Sequence, residues 1–209
     1  MKSRVLKNTE ALVRFFYPVI IDWAMQYDYS IPSVSTLLKY TVKFNEVESW
    51  KSPYNGTDID AIGSHNASES RILVASKREH YEIMSTLIHE YAHAVQYFNL
   101  GKEFHANYSM EAKAKQHGEN KYENEARTLS NKLMKARKEN PEFRTIFYSF
   151  KFEFVAKPGP KTHLKKKAPR PTPPKTHMRG WYGLNDEESY FYSDTRVFKC
   201  NRNSWWLRR

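Results

Sequence analysis

The residues best suited to chemistry are two histidines and a glutamate within five consecutive positions, His89-Glu90-Tyr91-Ala92-His93. In an α-helix, His89 and His93 lie about one turn apart on the same face, so both imidazoles can reach a single ion. Histidines at this spacing are typical zinc ligands, and the adjacent Glu90 is placed to take a proton from metal-bound water. The motif therefore predicts a zinc site with a general base.

The segment around this HExxH motif, residues 83–100, predicts one helix with an apolar side nearly opposite the two histidines. Gly101 marks its C-terminal end. A helix with two merely solvated histidines is the alternative, but the apolar backing and Glu90 favour a metal site. The apolar residues are Ile83, Met84, Leu87, Ile88, Tyr91, Ala94, Val95 and Phe98.

A catalytic zinc ion normally has three protein ligands, so a third donor must lie outside the motif. A metzincin would have glycine at position 96 and histidine at position 99. This chain has Gln96 and Asn99 there, which excludes that class. The remaining candidates for the third ligand are His105, His117, Glu123 and Glu125.

A second helix is predicted over residues 121–134, where Tyr122, Ala126, Leu129 and Leu133 form an apolar stripe. Glu125 and Glu123 flank this stripe on opposite sides, at roughly 70° and 90° from its centre on an ideal helical wheel. The helical geometry alone barely separates the two carboxylates.

The HExxH motif, followed about thirty residues later by Asn124-Glu125-Ala126, resembles the gluzincin metallopeptidases, most closely the small ImmA/IrrE-like group. The resemblance covers residues 70–134. It implies zinc-dependent hydrolysis of peptide bonds, with Glu125 as the third ligand beside the two histidines. The chain departs from thermolysin-like members because Leu129 and Ser130 stand where an orienting aspartate is expected.

A weaker resemblance connects Gly101-Lys-Glu-Phe104-His105 to the SprT-like proteases, in which a third histidine precedes Gly-x-x-Phe. Leu100 stands in place of that histidine and cannot bind metal, so His105 or His117 would have to substitute. In that case the protein would be a DNA-associated protease. A third interpretation is a non-catalytic structural or interaction protein of phage or virion type, with the zinc fold as scaffold.

Peptide hydrolysis also needs a group that stabilises the oxyanion. The sequence offers several candidates without choosing among them. These are Tyr97, His105, Tyr108 and Tyr148.

The surrounding pattern predicts an α+β fold, a small zincin-like domain whose HExxH helix packs on a short mixed sheet. An amphipathic helix is expected over residues 9–27, and strands over residues 38–47 and 71–76. The last of these would be an edge strand ahead of the motif, able to pair with an extended peptide. Alternating Phe150, Phe152 and Phe154 predict a further strand.

Charge and composition divide the chain into three parts. Residues 1–156 are expected to be the metallopeptidase domain. Residues 157–180 hold eight Lys or Arg, six prolines and no acid, and predict an extended basic linker. Nucleic-acid binding and simple solubility explain this charge equally well. Residues 181–209 form a small segment rich in aromatic residues.

The 209 residues contain a single cysteine, Cys200, so an internal disulfide is excluded and a reducing compartment is favoured. No signal peptide or membrane span is recognisable, and a cytoplasmic location is expected. The expected cofactor is one Zn²⁺ per chain, and the expected partner is a peptide or protein substrate.

Overall fold

The computed structural model describes residues 2–54 and 57–156, and the predicted linker and aromatic segment lie outside this range. The described residues form an α+β fold, as predicted. In chain order its elements are β1 (Ser3–Val5), α1 (Thr9–Gln26), α2 (Val34–Leu37), β2 (Thr41–Asn45), β3 (Trp50–Tyr54), β4 (Thr57–Ala61), β5 (Gly63–Asn66), β6 (Arg71–Ala75), α3 (His80–Leu100), α4 (Glu103–Ala114), a 3₁₀ turn (His117–Glu119), α5 (Lys121–Glu139) and α6 (Pro141–Ser149).

Four of the strands form a mixed sheet in the order β1-β2-β6-β5. Strands β2 and β6 pair in parallel, and the other two pairs are antiparallel. The strand expected over residues 71–76 is therefore present as β6, but it is interior, and the edge strand beside the HExxH helix is β5. Strands β3 and β4 form a separate antiparallel hairpin.

Helix α3, which carries the HExxH motif, packs against β5 and β6 on one side and along α5 on the other. The fully buried Ala126 of α5 and its neighbour Ser130 keep the two helices close, because neither adds bulk. The Ser130 hydroxyl donates to the carbonyl of Ser85 in α3 at 3.1 Å. This contact fixes how α5 lies against the motif helix.

Helix α1 has the amphipathic character predicted for residues 9–27 and buries its apolar face against α3 and α5. The indole of Trp23, fully buried, donates to the main-chain carbonyl of Glu125 at 2.8 Å. Within residues 2–54 and 57–156, no helix combines the length and the apolarity needed to cross a membrane.

The strand predicted from Phe150, Phe152 and Phe154 is wrong in detail. The segment is extended but forms only an isolated bridge between Phe154 and Leu6. The alternation arises because the three rings pack against the core, with Phe152 and Phe154 next to Phe44. One-sided burial of an extended segment gives the same period of two as a strand.

Candidate metal centre

The two histidines of the motif lie side by side on α3, with ring centroids 4.9 Å apart. Helix α3 begins with a capping box in which Glu79 and Glu82 satisfy each other's backbone amides. Because the helix continues without interruption to Leu100, His89 and His93 are held one turn apart. His93 is buried, and the His89 side chain keeps about a fifth of its surface exposed.

The carboxylate of Glu123 lies opposite both rings. Its Oε2 is 3.2 Å from His89 Nε2, and its Oε1 is 3.4 Å from His93 Nε2. One ligand atom from each of the three residues lies within 4.8 Å of the other two. In the part of the chain that the structure describes, this is the one group of three such side chains close enough to hold a metal ion.

Glu123 reaches this position because α5 begins close to the motif. The buried Asn120 accepts the backbone N–H of Tyr122 at 2.9 Å and so caps the helix. Glu123 then lies in the first turn of α5, where the helix dipole favours a negative charge.

The structure places Glu125, which the resemblance implies as the third ligand, away from the two histidines. Its Oε2 accepts hydrogen bonds from the Tyr29 hydroxyl at 2.6 Å and from Gln96 Nε2 at 3.0 Å. Two residues along a helix correspond to a rotation of about 200°, so Glu123 and Glu125 cannot face the same histidines. The candidate ligand set is therefore His89, His93 and Glu123.

The other candidates for the third ligand are arranged around the site. His117 Nε2 lies 3.4 Å from Glu123 Oε2, at the exposed rim. His105 lies on α4, where its ring contacts Tyr97 and Phe104. Neither belongs to the three-residue group.

Electrostatics favour an ionised Glu123. Burial alone would raise the pKa of its carboxyl, but hydrogen bonds with His89 and His93 and their charges outweigh burial, and the pKa lies far below its usual value. The pKa of His93 is raised to about 9, because burial is outweighed by the contacts with Glu123. The pKa of His89 is lowered, chiefly by burial. A buried carboxylate between two imidazoles is a group that could hold a cation.

The proposed general base, Glu90, is buried beside these three residues, and burial raises its pKa to about 8. Its carboxylate lies against Gly63 at the start of β5. A methyl group at position 63 would overlap Glu90 Oε1 and would come within 2.5 Å of the Thr86 side chain. Glycine at this position therefore lets the edge strand approach the carboxylate.

All four residues line a cleft of about 540 Å³ between the β3–β4 hairpin, β5, α3, α4 and α5. Of the oxyanion candidates, His105 and Tyr108 line this cleft. Tyr108 donates to Glu123 Oε1 at 2.5 Å. Tyr148 lies on α6 instead, where its hydroxyl accepts from Arg137.

Several residues of the cleft could not be singled out from the sequence. Tyr54 comes from the hairpin, with its hydroxyl 3.2 Å from the Asn120 amide nitrogen. His65 comes from β5, and its Nε2 is buried without a hydrogen-bond partner. Neither residue lies in a motif. Asn120 is different, because it directly precedes α5 and asparagine is a typical N-cap residue. Its capping role could have been predicted from the sequence.

Comparison of the chain with family models, with curated proteins and with solved structures finds no match.

Proposed function

We propose that this chain is a zinc-dependent metallopeptidase with one Zn²⁺ held by His89, His93 and Glu123. One observation carries the proposal. Ligand atoms of these three residues lie within 4.8 Å of one another at the wall of an open cleft, next to a buried glutamate. Two imidazoles and one carboxylate are a donor set typical of catalytic zinc in peptidases.

The pairing of Glu90 with this donor set favours hydrolysis over a purely structural site. Zn²⁺ in such a site acidifies a coordinated water and polarises a carbonyl. Glu90 accepts the proton from the attacking water and passes it to the leaving amine. Its pKa, raised to about 8 by burial, suits a group that both takes and returns a proton near neutral pH.

The neighbouring edge strand favours an extended peptide as the substrate. Strand β5 pairs with β6 on one side, and at Gly63 it lies directly against Glu90. A peptide adding to the other side of β5 would be held by main-chain hydrogen bonds. Its scissile carbonyl would then lie near the cluster, with Tyr108 or His105 available to stabilise the oxyanion.

Glu90→Gln tests the catalytic part of the proposal. Zinc content is measured beside cleavage of a library of internally quenched peptides, for the wild type and the variant. The expected result is one zinc per chain in both proteins and a loss of hydrolysis by about 10²- to 10⁴-fold in the variant. Unchanged cleavage by the variant would contradict the proposal. Glu79→Gln is the matched control, because Glu79 is an exposed glutamate of the same helix's cap.

The basic stretch at residues 157–180 supports a second partner for the same enzyme. Its eight Lys or Arg without any acid suit the phosphate backbone of a nucleic acid, as in the SprT-like alternative. The single Cys200 favours a reducing, cytoplasmic setting. If nucleic acid recruits the enzyme, adding DNA to the full chain stimulates cleavage at low salt, and the stimulation disappears as salt rises. Cleavage indifferent to DNA leaves solubility as the role of the charge.

A further inference from the structure

We propose that Gln96 and Glu125 are positioning residues that fix the orientation and the tautomer of His93, and thereby the affinity of the site for zinc. The inference rests on the proposed function and adds to it a role for the glutamate that is not a ligand. The chain of contacts runs from Tyr29 through Glu125 and Gln96 to His93, and we refer to it as the Glu125–Gln96 relay.

The first step is the contact between Gln96 and His93. The side chain of Gln96 is fully buried, three residues after His93 on α3. Its Oε1 lies 2.8 Å from His93 Nδ1, on the side of the ring that faces away from Glu123. His93 Nε2 is thereby left to point at the carboxylate and at any ion held there.

The second step is the orientation of the Gln96 amide. Its Nε2 donates to the carbonyl of Tyr122 at 3.1 Å and to Glu125 Oε2 at 3.0 Å. If the amide were turned over, its oxygen would face a carbonyl and a carboxylate, and both hydrogen bonds would become repulsive contacts. Glu125 and Tyr122 therefore hold the Gln96 oxygen towards the imidazole.

The tautomer follows from this orientation. An amide oxygen accepts hydrogen bonds only, so His93 Nδ1 must carry a proton and donate it to Gln96. In a neutral imidazole the lone pair is then on Nε2, which is the atom closest to Glu123. An outer partner that fixes a ligating histidine in this way typically changes metal affinity by about 10- to 100-fold.

The third step is the support of Glu125 itself. Its carboxylate is buried and accepts a hydrogen bond from the Tyr29 hydroxyl at 2.6 Å. The chain after Tyr29 is tied to α3 by Asn99, which accepts the Ser30 N–H at 2.7 Å and donates to the Ser30 carbonyl at 3.0 Å. Gln96 and Asn99, the two positions that exclude a metzincin, thus both serve this arrangement.

The test measures the dissociation constant of zinc by competition with a chromophoric chelator, in the full-length protein. Gln96→Leu removes the acceptor of His93 Nδ1–H, and the dissociation constant should rise about 10- to 100-fold. Glu119→Gln is the control for charge, because Glu119 is an exposed glutamate six residues before Glu125. It should leave the constant within about twofold, as an exposed charge is largely screened.

Exchanging the side chains of Gln96 and Glu125 distinguishes an effect of their hydrogen bond from a general loss of packing. Gln96→Glu alone places a second carboxylate against Glu125 and should weaken zinc binding. The double variant Gln96→Glu with Glu125→Gln exchanges the amide and the carboxylate at nearly constant volume. The amide at position 125 can then donate to the carboxylate at position 96, which still accepts from His93 Nδ1. The double variant should regain most of the affinity that Gln96→Glu loses, short of full recovery, because the Tyr122 carbonyl loses its donor.

Two results would overturn the relay while leaving the proposed function intact. One is a Gln96→Leu variant that binds zinc within about twofold of the wild type. The other is a double exchange whose losses simply add, since uncoupled sites are additive. A wild type that binds no zinc would instead reject the proposed function, and the relay with it.

Discussion

Two buried glutamates lie two residues apart on α5, and their surroundings differ completely. Glu123 faces the imidazoles of His89 and His93, with the Tyr108 hydroxyl on the same carboxylate. Glu125 faces Tyr29 and the amide of Gln96. The first carboxylate meets groups whose nitrogen lone pairs suit a metal ion, and the second meets donors that already carry protons.

Burial alone therefore does not identify a metal ligand. Both glutamates are almost inaccessible to solvent, at 4% and 6%. What separates them is the set of side chains that each one meets. Glu123 meets His89 and His93 of α3. Glu125 meets Gln96 of the same helix and Tyr29 of the segment that follows α1. Glu125 Oε2 already accepts from Tyr29 and Gln96, and its Oε1 lies 3.8 Å from Lys121 Nζ.

The largest effect is expected when each carboxylate is removed in turn and zinc binding is compared. Glu123→Ala should weaken zinc binding by roughly 3 kcal/mol, about a hundredfold or more, because a zinc site of four ligands gains roughly that much from each. Glu125→Ala should have a smaller effect, at most about tenfold. Isothermal titration with zinc measures both. Loss of zinc from Glu125→Ala with retention by Glu123→Ala would restore the ligand set implied by the resemblance.

A matched pair of hydroxyl deletions distinguishes the roles of the two carboxylates. Tyr108→Phe and Tyr29→Phe each remove one donor from one of the two carboxylates. Tyr108→Phe should lower kcat of peptide cleavage. Tyr29→Phe should leave kcat nearly unchanged and should lower the free energy of unfolding by about 1.5 to 3 kcal/mol, the usual value for a hydrogen bond to a charged group. Equal losses of kcat in both variants would contradict the division of roles.

A pH-dependent effect concerns His65, which lines the same cleft. Burial, together with the charges of His93 and His105, lowers its pKa to about 3. The unfolded chain binds this proton below a pKa of about 6.5, so the unfolded state binds more protons between pH 6.5 and 3. His65 therefore makes the folded protein less stable as pH falls through that window, by up to about 1.4 kcal/mol per pH unit.

Urea unfolding of the metal-free protein between pH 7 and 4.5 measures this effect. The slope of stability against pH should be shallower in His65→Phe than in the wild type. Tyr40 and Tyr97 already contact the ring of His65, so an aromatic replacement retains its packing partners. Identical slopes in the two proteins would show that His65 is not buried in its neutral form.

Much of this arrangement could be predicted from the sequence, because amphipathic helices repeat their apolar residues every three to four positions. The bounds of α1, the end of α3 and the start of α5 follow from apolar spacing and from the residues that flank the helices. Helix α3 begins at His80, three residues before its predicted start, with a capping box of Glu79 and Glu82. His89, Glu90 and His93 then face one side by helical geometry alone. Strands β2 and β6 were also predicted, since each buries alternate residues.

The choice between Glu123 and Glu125 could not be predicted, for a physical reason. The two flank the apolar stripe of α5 at similar angles, so either could face α3. Which one meets the two histidines depends on how α3 lies against α5. Glu125 is instead held by Gln96 and by Tyr29, which is almost a hundred residues away in the chain. Contacts so distant in sequence leave no local pattern. The resemblance implies Glu125, which the structure places against Tyr29 and Gln96 and not beside the histidines.

Anomalous diffraction at the zinc absorption edge, on crystals of the full chain grown with zinc, shows directly whether His89, His93 and Glu123 hold the ion. We expect one strong peak per chain, about 2.0 to 2.2 Å from His89 Nε2, His93 Nε2 and a carboxylate oxygen of Glu123. Glu125 should remain bonded to Gln96 in the same crystals. A peak coordinated by Glu125, or no peak beside the two histidines, would contradict this ligand set.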